Sequence, residues 1–329
     1  MSSVVVIGSN SFSGASFVDY LLDQGEKVVG ISRSEEPSPV FLPYKDNKNL
    51  ANFTFQQGDL NNDLDKILSV IGDLKAEIVV NFAAQGMVAQ SWQIPEHWFQ
   101  TNAVANVKLH DGLRKFDFLK KYVHISTPEV YGSTDGLIQE HRHYNPSTPY
   151  AVSRAAADLS LWSFFQTYKF PVVFTRAANV YGPGQQLYRI IPRAILYARL
   201  GKKLSLHGGG VSVRSFIHIR DVADATWKVA QNAAPGEIYH ISTPRNISIK
   251  ECVEMIAKST GVPFEELAEV GEERPGKDAA YLLDSSALRK NLAWEDRISL
   301  EDGVKDTIDW VDRNLEAMKS LPQDYIHKP

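Results

Sequence analysis

Cysteine is almost missing from this chain. Cys252 is the only one in 329 residues, so no disulfide can form within it. That suits a reducing compartment, and a cytoplasmic location is the expectation. The sequence also lacks an apolar run long enough to cross a bilayer. The short apolar run 4–7 has no basic segment before it, so no secretion signal is expected. Neither sign of charge dominates: 35 Lys and Arg against 39 Asp and Glu leave a net charge of −4. No nucleic-acid or membrane partner is therefore expected. There is no internal repeat and no low-complexity stretch. His141 and His143 beside Glu140 come nearest to a metal cluster, but they lie in a polar loop without supporting ligands, and no metal is expected. His207-Gly208-Gly209-Gly210 looks like an esterase oxyanion loop, yet no G-x-S-x-G accompanies it, so we read it as a turn.

What the chain does have is alternation. Apolar, β-branched runs at 4–7, 27–31, 53–57, 78–82, 122–126 and 172–176 are separated by helical patterns near 15–24, 63–71, 96–116 and 150–168. Strands apolar on both faces, alternating with helices, predict an α/β fold: a Rossmann-type doubly wound parallel sheet. After about residue 177, Pro and Gly cluster and the strands shorten. We expect a dinucleotide-binding domain over 1–176 and a smaller α/β substrate lobe over 177–329, with elements near 213–241 returning to the sheet. Residues 318–329 read as a loosely ordered tail.

The first strand ends in Gly8-Ser9-Asn10-Ser11-Phe12-Ser13-Gly14, ahead of the first helix. A glycine-rich turn there lets backbone N–H groups and a helix N-terminus hold a pyrophosphate, with Ser11 at the position of the usual middle glycine. The second strand ends in Ser32-Arg33 where an NAD site would carry an acid, so a 2′-phosphate and NADP are favoured, with NAD the alternative. Asp59 and Leu60 follow the third strand and could bracket adenine. Phe82, Ala83 and Ala84 follow the fourth, where small residues admit a cofactor to the backbone.

Two motifs carry the chemistry: Ser126-Thr127-Pro128-Glu129-Val130-Tyr131-Gly132 and Tyr150-Ala151-Val152-Ser153-Arg154. They supply a hydroxyl, a carboxylate and a phenol, and the hydroxyl and carboxylate, two residues apart at a strand end, should share one side of the pleat. With Asn179-Val180-Tyr181-Gly182-Pro183, Arg214-Ser215-Phe216-Ile217-His218 and Glu273-Arg274-Pro275-Gly276 downstream, the chain resembles the extended short-chain dehydrogenase/reductase family. It is most similar there to the nucleotide-sugar 4,6-dehydratases, such as those acting on dTDP-glucose and GDP-mannose. The resemblance implies that Tyr150 takes the proton from the sugar C4 hydroxyl while hydride leaves C4, and that Thr127 orients that hydroxyl. Glu129 would then remove the C5 proton so that water leaves from C6, and hydride returns to C6. Tyr150 and Arg154 would also touch the nicotinamide end of the cofactor. Two positions depart from the pattern: Pro128 replaces an acid, and Arg154 replaces a lysine. The resemblance further implies a nucleotide-diphosphate sugar held by Thr127, Asn179, Arg189, Arg214 and Arg274, and a homodimer formed through a four-helix bundle of the helices near 96–116 and 150–168. The competing readings are a nucleotide-sugar 4-epimerase, a nucleotide-uronate decarboxylase and, from another class, a non-catalytic NAD(P)-binding protein. An epimerase has no use for Glu129, and a decarboxylase would need a cation for the substrate carboxylate.

Overall fold

The computed structural model describes residues 3–134, 136–272 and 282–328. Among them, seven parallel strands form one sheet: β1 (Ser3–Ile7), β2 (Lys27–Ser32), β3 (Phe53–Gln57), β4 (Ile78–Asn81), β5 (Lys121–Ile125), and the strands Val172–Ala177 and Ile238–Ile241. Across the sheet the order is Ile238–Ile241, Val172–Ala177, β5, β4, β1, β2, β3. The order reverses between β1 and β4, which pair from Val4 with Ile78 to Ile7 with Asn81. A crevice opens at the carboxyl ends of such strands, and ligands of doubly wound sheets bind there.

The absence of polar alternation in the strands has a direct cause. In β1, Val4 and Val6 pack with Phe17, Val18 and Leu21 on one face. Val5 and Ile7 pack with Ile67, Ile71 and Leu109 on the other. Each buried aliphatic contributes roughly 1.5–3 kcal/mol, so a polar residue on either face would be costly. Helix α1 (Phe12–Asp23) covers the first face, and α2 (Leu64–Leu74) the second. Next come α3 (Pro95–Phe99), a π-helical turn at Gln100–Ala105, and α4 (Asn106–Leu113), where the sequence pattern gave one uninterrupted helix. Helix α5 (Pro149–Tyr168) begins at Thr148, whose side chain accepts from Ala151 N–H, and it carries Pro149 in its first turn.

A second core lies beside the sheet. Ile191 and Ile195 of α6 (Ile190–Leu200) meet Leu204, Val253, Ile256, Val304 and Val311 there. The chain returns to the sheet through α7 (Ile219–Asn232), which packs on α1, and then strand Ile238–Ile241. The last helix, Leu300–Lys319, buries Met318 in the second core. Residues 323–328 are not the loose tail expected from composition, because tertiary contacts unseen in local sequence hold them, and three of them line the crevice.

Candidate active site

The crevice is a cleft of about 760 Å³ lined from both cores. Its floor on the sheet side is the turn after β1. Gly8 has φ +84°, and a Cβ there would come within 2.6 Å of Ala83 N. A Cβ on Gly14 would overlap the Gly8 carbonyl. Ser11, at the position of the middle glycine, caps α1: its hydroxyl donates to Gly8 O at 2.7 Å and accepts from Gly14 N–H at 3.1 Å. The serine therefore tightens the turn. Ser11, Phe12, Ser13, Phe82 and Ala84 face the cleft, and Phe12 and Ser13 belong to the first helical turn, whose N–H groups have no intrahelical acceptor. This backbone cradle, together with the buried and unpartnered Nε of Arg154, fits a dinucleotide.

The other expected cofactor residues are used differently. Ser32 is buried and accepts from Asn10 N–H at 2.9 Å, with Ser9 Oγ 3.4 Å away. Arg33 lines the cleft, where its guanidinium donates to the Lys328 carbonyl at 3.0 Å. The Asp59 carboxylate accepts from Asn61 N–H at 3.0 Å and from Asn62 Nδ2 at 2.8 Å, closing its own loop. Leu60 is buried in the core. Neither residue of this pair is among those lining the cleft.

Thr127, Glu129, Tyr150 and Arg154 all line the cleft. The strand reading of Thr127 and Glu129 needs correcting: β5 ends at Ile125, and Pro128–Tyr131 is a 3-10 turn capped by Thr127. The cap, and not a shared pleat, fixes the two residues relative to each other, with Thr127 Oγ1 accepting from the Glu129 backbone N–H at 3.3 Å. On α5, Tyr150 and Arg154 are one turn apart, so both point at the same strand end. Burial pushes the Tyr150 phenol above its ordinary value and the Glu129 charge pushes it further, while Arg154, a hydrogen bond from Thr127 and Arg189 pull it down. Among the chain's own groups the raising influences win. Arg154 is buried and donates to the Ile125 carbonyl.

The same face of α5 continues to Asp158, one turn beyond Arg154. Asp158 is fully buried and accepts from Ser126 Oγ at 2.7 Å and from Arg176 at 2.8 Å, with His124 Nε2 3.4 Å from its second oxygen. Burial alone would raise this carboxyl, but the Arg176 charge and His124 hold it well below the usual carboxylate range. Arg176 also donates to the hydroxyls of Tyr131 and, at 2.6 Å, Tyr144. The turn carrying Glu129, the helix carrying Tyr150 and strand Val172–Ala177 are thus tied at one buried point.

Sequence reasoning missed this tie and one other. In the π-helical turn, Asn102 accepts from Gln85 N–H at 2.8 Å and donates to Gln85 O at 3.0 Å and Ser153 Oγ at 3.0 Å. It joins the loop after β4 to α5. No local signal marks it, because the π-turn interrupts the helical period at this point.

On the second core's side, Asn179 and Arg189 line the cleft, joined by Arg193. Arg214 stands on a short strand, Val213–Arg214, and donates to the Val213 carbonyl at 2.8 Å; it is not among the lining residues. Arg274 lies outside the described residues. Among those described, no helix is long and apolar enough to cross a membrane.

Residues 5–307 match the family model described as GDP-mannose 4,6 dehydratase. A dTDP-D-glucose 4,6-dehydratase of Mus musculus is 31% identical over 316 residues, covering 92% of this chain and 84% of that protein. The trifunctional UDP-glucose 4,6-dehydratase/UDP-4-keto-6-deoxy-D-glucose 3,5-epimerase/UDP-4-keto-L-rhamnose-reductase of Arabidopsis thaliana is 33% identical over 269 residues, 80% of this chain; the match spans only 40% of the plant protein. Among solved structures, dTDP-glucose 4,6-dehydratase from Bacillus anthracis in complex with NAD has a TM-score of 0.85 at 29% identity, covering 96% of this chain and 98% of its own.

Proposed function

The chain belongs to the GDP-mannose 4,6-dehydratase family, and we propose that within it the protein is a nucleotide-sugar 4,6-dehydratase. One observation carries the reading: Thr127 and Glu129, from the 3-10 turn after β5, and Tyr150, from the first turn of α5, line a single cleft. An epimerase needs the phenol but has no work for the carboxylate. A nicotinamide dinucleotide would lie over the Gly8–Gly14 turn, with Tyr150 and Arg154 at its nicotinamide end. Bound there, it supplies a hydride relay from sugar C4 to C6. Tyr150 takes the C4 hydroxyl proton, and Thr127 fixes that hydroxyl. The resulting ketone acidifies C5–H. Glu129 removes this proton and, because Pro128 has no acid to offer, delivers it to the C6 oxygen as the C6–O bond breaks and water leaves. A solvent proton then returns to C5 through Glu129 as C6 is reduced. Asn179 and Arg189, with Arg214 and Arg274 from outside the cleft's described lining, are the proposed holders of the nucleotide diphosphate.

For the cofactor we favour NAD, which the Bacillus anthracis relative binds. Ser32 is buried and accepts from Asn10 N–H, and Arg33 donates to the Lys328 carbonyl, so both already have partners within the chain. We also propose a homodimer formed by α3, α4 and α5, whose outer faces carry exposed apolar residues.

The test is incubation in heavy water with dTDP-, UDP- and GDP-hexoses, read by product mass. Loss of one water with gain of one carbon-bound deuterium is the expected result. An unchanged mass with altered configuration, or loss of carbon dioxide, would replace this assignment. Glu129→Gln should abolish water loss while leaving C4 oxidation visible as cofactor reduction.

A further inference from the structure

The residues after helix Leu300–Lys319 leave the second core and cross to the sheet side. At the near end, Arg193 donates to Gln323 O at 2.6 Å and pairs with Asp324, and Lys202 donates to the Gln323 side chain at 2.9 Å. Midway, the Tyr325 ring meets Tyr188 edge-on at 5.5 Å. At the far end, His327 stacks on Trp98 at 5.0 Å and shares a hydrogen bond of 2.8 Å with His97. The Lys328 carbonyl accepts from Arg33 at 3.0 Å and from Gln85 Nε2 at 2.6 Å. Tyr325, Ile326 and Lys328 line the cleft.

A segment with separate partners at both ends and three residues facing the cleft is built into the site. We infer that residues 323–328 form a strap that completes the cleft wall and retains the nicotinamide dinucleotide and nucleotide sugar, with Tyr325 an additional ligand-facing residue and Arg33 and Gln85 its latch. No motif assigns this role. It accounts for Arg33, the one cation at the end of β2, by a contact within the protein. It also gives Gln85 two tasks: its backbone is held by Asn102 beneath α5, and its side chain holds the strap, so the latch is coupled to the helix that bears Tyr150. Closing the cleft would keep the 4-keto intermediate away from water until reduction at C6.

The inference rests on reading the cleft as a nicotinamide and nucleotide-sugar site, so the test separates the two. A chain ending at Leu321 keeps Met318 and the whole second core, and is compared with the full chain and with Arg33→Ala. Amide hydrogen exchange is followed at 325–328 in the full chain, and binding of NAD+ and of dTDP is measured by calorimetry. Protection at 325–328 is expected, with an NAD+ Kd about tenfold or more weaker in the shortened chain, a smaller weakening in Arg33→Ala, and unchanged cooperativity of unfolding. Exchange of those amides at coil rates would overturn the strap. So would a shortened chain that binds NAD+ and dTDP as tightly as the full one or more tightly, since the segment would then be idle or obstructive. A full chain that dehydrates no sugar, yet loses NAD+ affinity on shortening, would sink the dehydratase reading and support the strap.

Discussion

Tyr150 stands among charges of opposite sign, Glu129 against Arg154 and Arg189, and the pH dependence of the first step reports their balance. Glu129 raises the phenol and Arg154 lowers it, on top of a burial effect that raises it. A base must lose its proton before it can accept one, so C4 oxidation should rise with pH along a limb set by this group. Removing the carboxylate charge in Glu129→Gln removes a raising influence, and the limb should move to lower pH. Arg154→Met removes a lowering influence, and the limb should move to higher pH. Single-turnover cofactor reduction measured across pH reads both shifts. Shifts in the same direction would show that Tyr150 is not the titrating group. At this scale the sequence was informative about residue type and less so about environment. Tyr150, Thr127 and Glu129 could be picked from motifs, but the dominance of burial over the neighbouring cation depends on packing that no local stretch encodes.

Helix α5 shows how an element converts spacing into a site. Tyr150, Arg154 and Asp158 recur at four-residue intervals, so one face of one helix presents base, cation and anchor in a row. The anchor is the buried ion pair of Asp158 and Arg176, both fully buried. Removing one member strands the other charge in the interior. Arg176→Met should therefore cost about 3–5 kcal/mol of stability in denaturant unfolding. Ser126→Ala removes one hydrogen bond from the same carboxylate and should cost about 1 kcal/mol. Because Ser126 precedes Thr127, this milder variant should also lower kcat more than it raises KM; a change in KM alone would mean that the tie holds the fold without positioning the turn. Folding back from the pair has a pH signature as well. The Asp158 carboxyl is held below its unfolded value, so its contribution is present above the ordinary carboxylate range and fades as pH falls through the folded value. The seven-stranded sheet was legible because apolar runs and turn glycines are local signals. The Asp158–Arg176 tie joins residues 18 apart in sequence with no local mark. The π-turn shifts the helical phase by one residue and hides Asn102 from a period-3.6 reading.

For the whole molecule, what remains unpaired is as telling as what is packed. Most of the apolar residues are buried in the cores, yet the outer sides of α4, of α5 and of the π-turn between α3 and α4 keep Val104, Val107, Val152 and Leu159 in water, at 43%, 37%, 38% and 51% exposure. Val104 and Val107 are three residues apart, and Val152 and Leu159 seven apart, so each pair forms a stripe along its helix. Scattered exposed apolar residues are ordinary, but stripes on two adjacent helices suit a face covered by a second copy, and the isologous pairing of two such helix pairs gives a four-helix bundle. In sedimentation velocity the chain should therefore run at twice its 36.8 kDa mass. Val107→Glu combined with Leu159→Glu places charge on both apolar stripes and should yield monomers. Tyr150 and Arg154 sit on the opposite side of the same helix from Leu159, so the monomer should retain NAD+ binding if the cleft is complete within one chain. A monomer that loses NAD+ binding while its unfolding stays cooperative would mean that the bundle holds α5 in register for catalysis. A wild-type chain that sediments as a monomer at micromolar concentration would remove the bundle from the account altogether.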